Sequence, residues 1–106
     1  MCGYVYIWEY RVSPENVEAF RAAYGPDGLW VRLFTGRPGY LRTELLEDRD
    51  DPGRFLTIDY WTSREEFEAY HQAHRPELAS LEAECERLTE SERRLGEFWG
   101  GAADSP

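Results

Sequence analysis

Aromatic residues occupy every second position near the start of the chain: Tyr4, Tyr6, Trp8 and Tyr10, with Val5, Ile7, Glu9 and Arg11 between them. A period of two puts the four rings on one face of a strand and the mixed set on the other. The pattern predicts a strand over residues 4–12 that makes two different contacts. The rings pack on helices or line a pocket, and the second face meets something else. Ser13, Pro14 and Glu15 read as N-cap, first helical residue and first-turn acid. Val17, Phe20 and Tyr24 then recur at helical spacing and should face the sheet. Gly25-Pro26-Asp27-Gly28 ends that helix. Leu29, Trp30, Leu33 and Phe34 predict a short amphipathic turn or two, and Gly36-Arg37-Pro38-Gly39 breaks the chain again.

A second strand is expected over residues 40–46, a hairpin turn over 48–53 and a third strand over 55–61. Ser63-Arg64-Glu65-Glu66 has the form of a capping box and opens a helix that carries Phe67 and Tyr70 inward. Arg75-Pro76 bends or restarts that helix, after which Leu78, Leu81, Cys85 and Leu88 follow at spacings of three or four. Residues 89–92 fit no single pattern. Residues 94–99 read as a last strand with Leu95 and Phe98 as its apolar positions. The order β-α-β-β-α-β is the ferredoxin-like arrangement, an α+β fold whose antiparallel sheet has helices on one face. The open face would carry Val5 and Ile7 with apolar residues of the other strands, a patch that a lone chain leaves in water. Two-fold pairing of two sheets covers it, so a homodimer is expected. One domain over residues 1–99 and a disordered tail over 100–106 complete the organisation.

Charge narrows the functional classes. Among 106 residues, 21 acids face 12 bases, a net charge of −9. This argues against nucleic acid, which is bound by positive patches, and against anionic membrane surfaces. Every base is Arg; without Lys, Schiff-base chemistry and a P-loop lysine are excluded. The missing Lys fits the codon usage of a GC-rich genome as well as any functional cause. Cys2 and Cys85 lie far apart and form no metal-binding spacing. Isolated thiols, no basic segment leading into an apolar run and no apolar stretch of membrane-spanning length make the cytoplasm the expected compartment.

The segment from Leu56 to Phe67 (Leu56-Thr57-Ile58-Asp59-Tyr60-Trp61-Thr62-Ser63-Arg64-Glu65-Glu66-Phe67) resembles the strand-to-helix segment of the antibiotic biosynthesis monooxygenase family. Pro38-Gly39-Tyr40 is similar to that family's entry to its second strand, and Leu95-Gly96-Glu97-Phe98 to its last strand. The resemblance covers roughly residues 4–99 and rests on the order and spacing of these motifs together. It implies a dimeric α/β barrel formed by two ferredoxin-like sheets. It also implies oxidation of anthrones or other electron-rich aromatics, or of quinols, by O₂ without metal or flavin. The same family holds haem-degrading enzymes and proteins without known activity, and one fold hosts many functions. The haem-degrading branch uses an Asn on the first strand, a Trp on the second main helix and a His about ten residues later. Those places fall at Tyr10, Tyr70 and Ser80 here, and none matches. His is the usual axial ligand, and His71 or His74 would serve only if the alignment shifts by a turn or two.

Four residues are candidates for catalysis: His71, His74, Tyr10 and Asp59. The two histidines sit three apart on one helix and can converge, and either could act as a base at neutral pH. They also suit a polar helix face near its C-terminus. Glu68 with His71 gives a Glu-x-x-His spacing, half of what a di-iron bundle needs, so no metal site is expected. Asp59 lies mid-strand between Ile58 and Tyr60 and, if buried, requires Arg11, Arg42 or a hydroxyl; a structural ion pair is the plainer reading. Tyr6, Trp8, Trp30, Phe34, Trp61 and Tyr70 are candidates for binding a flat aromatic molecule, and each also reads as core. Arg37, with Arg32, could hold an anionic group or an enolate, or lie on the surface. Together these residues suit cofactor-independent oxygenation of a small aromatic compound. A haem-binding or haem-degrading protein and a non-catalytic small-ligand-binding dimer are the alternatives.

Overall fold

The computed structural model describes residues 3–100; Cys2 and tail residues 101–106 lie outside them. The chain runs β1 (Tyr4–Arg11), a 3₁₀ turn (Pro14–Asn16), α1 (Val17–Tyr24), α2 (Leu29–Phe34), β2 (Tyr40–Glu47), β3 (Arg54–Trp61), α3 (Arg64–Ala73), α4 (Arg75–Cys85), a second 3₁₀ turn (Glu86–Leu88) and β4 (Ser91–Trp99). The strands form one antiparallel sheet in the order β2-β3-β1-β4. This is the expected ferredoxin-like fold. No helix among the described residues is long and apolar enough to cross a membrane.

Directly opposite residues of an antiparallel pair share a face. Tyr4, Tyr6, Trp8 and Tyr10 therefore lie beside Trp61, Asp59, Thr57 and Phe55 of β3. This is the face the helices cover. At one end Tyr10, Phe55, Phe20, Tyr24, Cys85 and Leu88 form a buried cluster, in which Phe20 stacks on Tyr24 with centroids 4.3 Å apart. At the other end Tyr4, Phe34, Trp61, Phe67 and Tyr70 form a second.

The opposite face carries Val5, Ile7, Leu56, Ile58, Tyr60 and Phe98 in register across three strands. No helix covers it, and Leu46 and Phe98 are 44% and 47% exposed. One end of this face is charged instead. Glu9 accepts from Arg54 Nε at 2.6 Å and from Arg93 Nη2 at 2.8 Å, and Arg54 also holds Asp48 at 2.9 Å. These contacts hold the Glu9 carboxyl below its ordinary pKa, the Arg54 hydrogen bond first among them.

Several local expectations need correction. Strand β1 stops at Arg11, and the Val12 N–H turns to Gly53 O at 2.8 Å. Ser13 does not cap the first helix; its hydroxyl donates to Glu90 instead. Ser63 does cap α3, accepting from Glu66 N at 3.2 Å. Arg75-Pro76 starts a separate helix because His74 leaves the helical region at φ −123°, ψ 29°. Strand β4 begins at Ser91, three residues before the predicted start, because Arg11, Tyr10 and Glu9 of β1 offer partners to Ser91, Glu92 and Arg93. Gly100, assigned to the tail, continues the β1–β4 contact by donating its N–H to Gly3 O at 2.9 Å.

The turn into β2 shows why its sequence reads Pro-Gly-aromatic. Gly39 has φ +86°, and a Cβ there would come within 2.4 Å of Glu66 Cβ. Its carbonyl accepts from Thr62 N at 2.8 Å, locking the start of β2 to the end of β3. Gly36 shares the positive φ, +84°, but has open space around it. We predict that Gly36→Ala costs roughly 1 kcal/mol, the conformational term alone. Gly39→Ala should cost at least ~1 kcal/mol more through the clash. Equal chemical-denaturation midpoints for the two variants would contradict this.

Candidate active site

The helix-facing row of β1 is too polar and too irregular to close completely against the helices. A cavity of about 120 Å³ remains between them. Tyr6, Trp8 and Tyr10 form its floor, Trp8 stacking on Tyr10 and Tyr6 meeting Trp8 edge to face. Tyr24 from α1 and Trp30 and Phe34 from α2 wall one side, and His71 from α3 and Leu78 from α4 another. Thr43, Thr57 and Asp59 enter from β2 and β3. Glu82 of α4 and Glu92 of β4, both exposed, stand at the mouth.

Asp59 is the most perturbed acid of the cavity. Tyr6 and Thr43 flank it on the neighbouring strands. Its carboxylate accepts from Thr43 Oγ1 at 2.6 Å, and the Thr43 hydroxyl is linked to Tyr40 OH at 2.8 Å. Burial pushes its pKa up to about 6, and the single Thr43 hydrogen bond offsets only part of that rise. The expected ion pair does not form. Arg11 is spent on Asp51 at 2.7 Å, and the Arg42 guanidinium lies over the Tyr60 ring at 3.9 Å. A hydroxyl, the third partner weighed, is the one present.

His71 and His74 do not converge. The His71 Nδ1 lies 2.8 Å from Phe67 O. A carbonyl can only accept, so Nδ1 carries the proton and Nε2 is left with a free lone pair. Burial lowers the His71 pKa, and the Phe67 carbonyl opposes that shift. The neutral imidazole, which is the basic form, is thus the resting state at pH 7. His74 instead bonds Tyr70 O at 3.1 Å, stacks on the Tyr70 ring and does not line the cavity. Burial drives Tyr10 well above the ordinary phenol pKa and raises Tyr6 as well. Both stay protonated at neutral pH, so they can donate or accept a hydrogen bond but not act as a resting base.

Of the residues singled out from the sequence, Tyr6, Trp8, Tyr10, Trp30, Phe34, Asp59 and His71 meet in the cavity. Trp61 and Tyr70 lie in the core beneath it, and Trp61 is fully buried. Arg37 stacks over Tyr70, 5.6 Å from the ring centroid, rather than facing a substrate, and Arg32 lies in a different surface groove. Sequence reasoning passed over Tyr24, Thr43, Thr57, Leu78, Glu82 and Glu92. Thr57 was open to it, being two residues before Asp59 on the same strand face. Among the described residues no three His, Cys, Asp or Glu side chains gather to hold a metal.

The model of the antibiotic biosynthesis monooxygenase family matches residues 3–75. Solved structures share the fold over nearly the whole length. A Nitrosomonas europaea protein grouped with the antibiotic biosynthesis monooxygenases is 22% identical, with 98% of this chain and 94% of that one covered and a TM-score of 0.67. SnoaB, a cofactor-independent oxygenase from Streptomyces nogalater, is 18% identical with both chains fully covered and a TM-score of 0.69. A Deinococcus radiodurans protein of the same description is 15% identical, covered 97% each way, with a TM-score of 0.74. No curated protein matches the chain.

The buried acid has a thermodynamic signature. Asp59 rises from an ordinary 3.8 to about 6 on folding. The folded state therefore holds a proton over that interval that the unfolded state has lost, and stability falls as pH rises through 6. Asp59→Asn keeps an acceptor for Thr43 and removes the titration. We predict that the variant gains on the native protein between pH ~4 and ~6, by up to ~3 kcal/mol, and holds that gain at higher pH. His71 titrates in both proteins and cancels in the difference. Chemical denaturation across pH checks this; a gap independent of pH would show that Asp59 is not a buried acid.

Proposed function

The chain belongs to the antibiotic biosynthesis monooxygenase family, and from that premise we propose that it oxidises a small aromatic compound with O₂, drawing the electrons from the substrate itself. One observation carries the reading: an aromatic-walled cavity that holds a neutral His71 with Nε2 free as a proton acceptor. Rings of Trp8, Tyr10 and Trp30 suit a flat substrate, and His71 or the Asp59 carboxylate can take a phenolic proton. The deprotonated ring becomes electron-rich enough to pass an electron to O₂, and recombination gives a hydroperoxide that loses water. For a dihydroxybenzene the sum is closed: quinol and O₂ give a hydroxyquinone and water. One oxygen atom enters the product, and all four electrons come from the ring. No flavin or metal is called for in this scheme.

Size favours a single ring. A dry cavity of ~150 Å³ in another protein holds benzene, and the present cavity is about 120 Å³. A quinol-sized molecule fits that scale; an anthrone requires the helices to part, and a haem is larger still.

The same reading includes a homodimer. Seven apolar side chains, Leu46 among them, share the uncovered face of the sheet, with Leu46 and Phe98 well exposed. Helices occupy only the other side, so a second sheet is the natural cover.

Two predictions follow from these arguments. Oxygen uptake with substituted dihydroxybenzenes should drop by a factor of ~10²–10⁴ in His71→Gln, the range for loss of a general base. In the native protein the rate should climb with pH through a value below 6.5, as His71 loses its proton. His74→Gln should keep native activity. Undiminished turnover in His71→Gln would refute His71 as the base, and no uptake with any such compound would leave the non-catalytic alternative standing. Light scattering should give a dimer mass for the native chain, and Ile58→Glu, which buries a charge in the proposed contact, should give a monomer with intact secondary structure. A native monomer would refute the dimer.

A further inference from the structure

We propose that the ligand of this cavity is a single-ring aromatic molecule that carries an alkylammonium group, not a neutral or anionic phenol alone. The inference rests on the oxygenase reading for the reaction but on the cavity's own side chains for the charge.

The charged groups lining the cavity are of one sign. Asp59 lies inside it, and Glu82 and Glu92 stand at its mouth. None of the three has a cationic partner among the described residues: Asp59 is held by Thr43, and Glu82 and Glu92 enter no ion pair. No Arg lines the cavity. Arg94, opposite Trp8 on β4, is bound to Glu97. Arg37, the sequence's best candidate for holding an anion, lies over Tyr70. Most of the remaining lining is aromatic: Tyr6, Trp8, Tyr10, Tyr24, Trp30 and Phe34.

Ring faces carry partial negative charge and attract a cation set over them, Trp most strongly. Asp59 inside such a cage adds to the attraction, and its effect is felt strongly because the walls are apolar and screen little, while Glu82 and Glu92 act through water at the mouth and add less. An anion entering the same space meets three carboxylates and, among the described residues, no Arg in the lining. A singly charged ammonium on a one-ring scaffold fits both the size and the sign of the cavity.

Three single-ring probes of similar size and different charge decide the matter: benzylammonium, benzyl alcohol and benzoate. Their binding to the purified full chain is read by quenching of tryptophan fluorescence, to which Trp8 and Trp30 in the cavity wall report, and by calorimetry. Binding is measured without O₂, so that turnover plays no part. Benzylammonium should bind at least tenfold more tightly than benzyl alcohol, and benzoate more weakly than either. The preference should shrink severalfold in Asp59→Asn and by a smaller factor in Glu82→Gln/Glu92→Gln, whose exposed positions do not carry the fold. Equal affinity for the three probes, tighter binding of benzoate, no binding of any probe, or an unchanged preference in both variants would overturn the inference. A separate comparison of oxygen uptake with hydroquinone and with an aminoethyl-substituted dihydroxybenzene distinguishes the two readings. Cation-selective binding without uptake overturns the oxygenase and keeps the charge assignment. Faster uptake of the neutral quinol keeps the oxygenase and overturns the charge assignment.

Discussion

The alternation along β1 is the constraint on which the rest of the structure depends. A central strand flanked by β3 and β4 has both edges hydrogen-bonded, so its two faces are its only remaining contacts. Four rings on one face recruit all the helices to that side, and Val5 and Ile7 are left on the other. A slip of one residue would exchange the faces and lose both cores at once. The apolar rear face and the aromatic cavity are thus two consequences of one register.

The cavity is lined by groups whose polar atoms are poorly satisfied. Tyr10 finds only a 3.4 Å contact from Thr57, and the Trp30 indole N–H in the wall has no partner among the described residues. A buried donor without an acceptor costs about 1–3 kcal/mol, and Asp59, raised to about 6, adds a cost of its own at neutral pH. A region optimised for stability would replace these groups with aliphatic ones. The two dense clusters on either side, around Phe20 and around Trp61, supply the burial that offsets them.

Periodicity made the fold legible because it reports burial, and burial decides elements. The β1 rings, the 3.6-residue recurrence of Val17, Phe20 and Tyr24 and the Ser63 cap each stand in the structure for the reason they stood in the sequence. The start of β4 was hidden because Ser91 to Arg94 are all exposed and carry no apolar signal; they form a strand only because β1 offers a partner edge. The cavity was legible in part. Tyr6, Trp8 and Tyr10 were visible from alternation alone. What alternation cannot give is the distance between elements that are remote in sequence, so it could not separate His71 from His74 or see Glu82 and Glu92 meet at one mouth. Helical spacing allowed the two histidines to converge, but the carbonyls four residues back, of Phe67 and Tyr70, take their Nδ1 atoms and aim the rings apart.

The absence of a cationic side chain from the cavity lining bears on how oxygenation would work there. Proton removal from a neutral phenol by His71 leaves a phenolate beside Asp59, balanced by the imidazolium that the transfer creates and not by an Arg of the lining. The expectation of an Arg for this purpose is natural for enzymes that stabilise such charge with side chains. Here a substrate that carries its own ammonium would solve the problem differently. Its deprotonated form is a zwitterion with no net charge, while the ammonium remains with the carboxylates and the ring faces. Recognition and activation would then use separate parts of one small molecule: the cation secures binding before and after proton transfer, and His71 Nε2 works on the phenol. Binding energy from a group that does not react would be available to hold the ring against the base, which is how remote contacts contribute to rate. A cavity without Arg is therefore compatible with phenolate chemistry: protonated His71 supplies one counter-charge, and an ammonium substrate brings a second that persists through proton transfer.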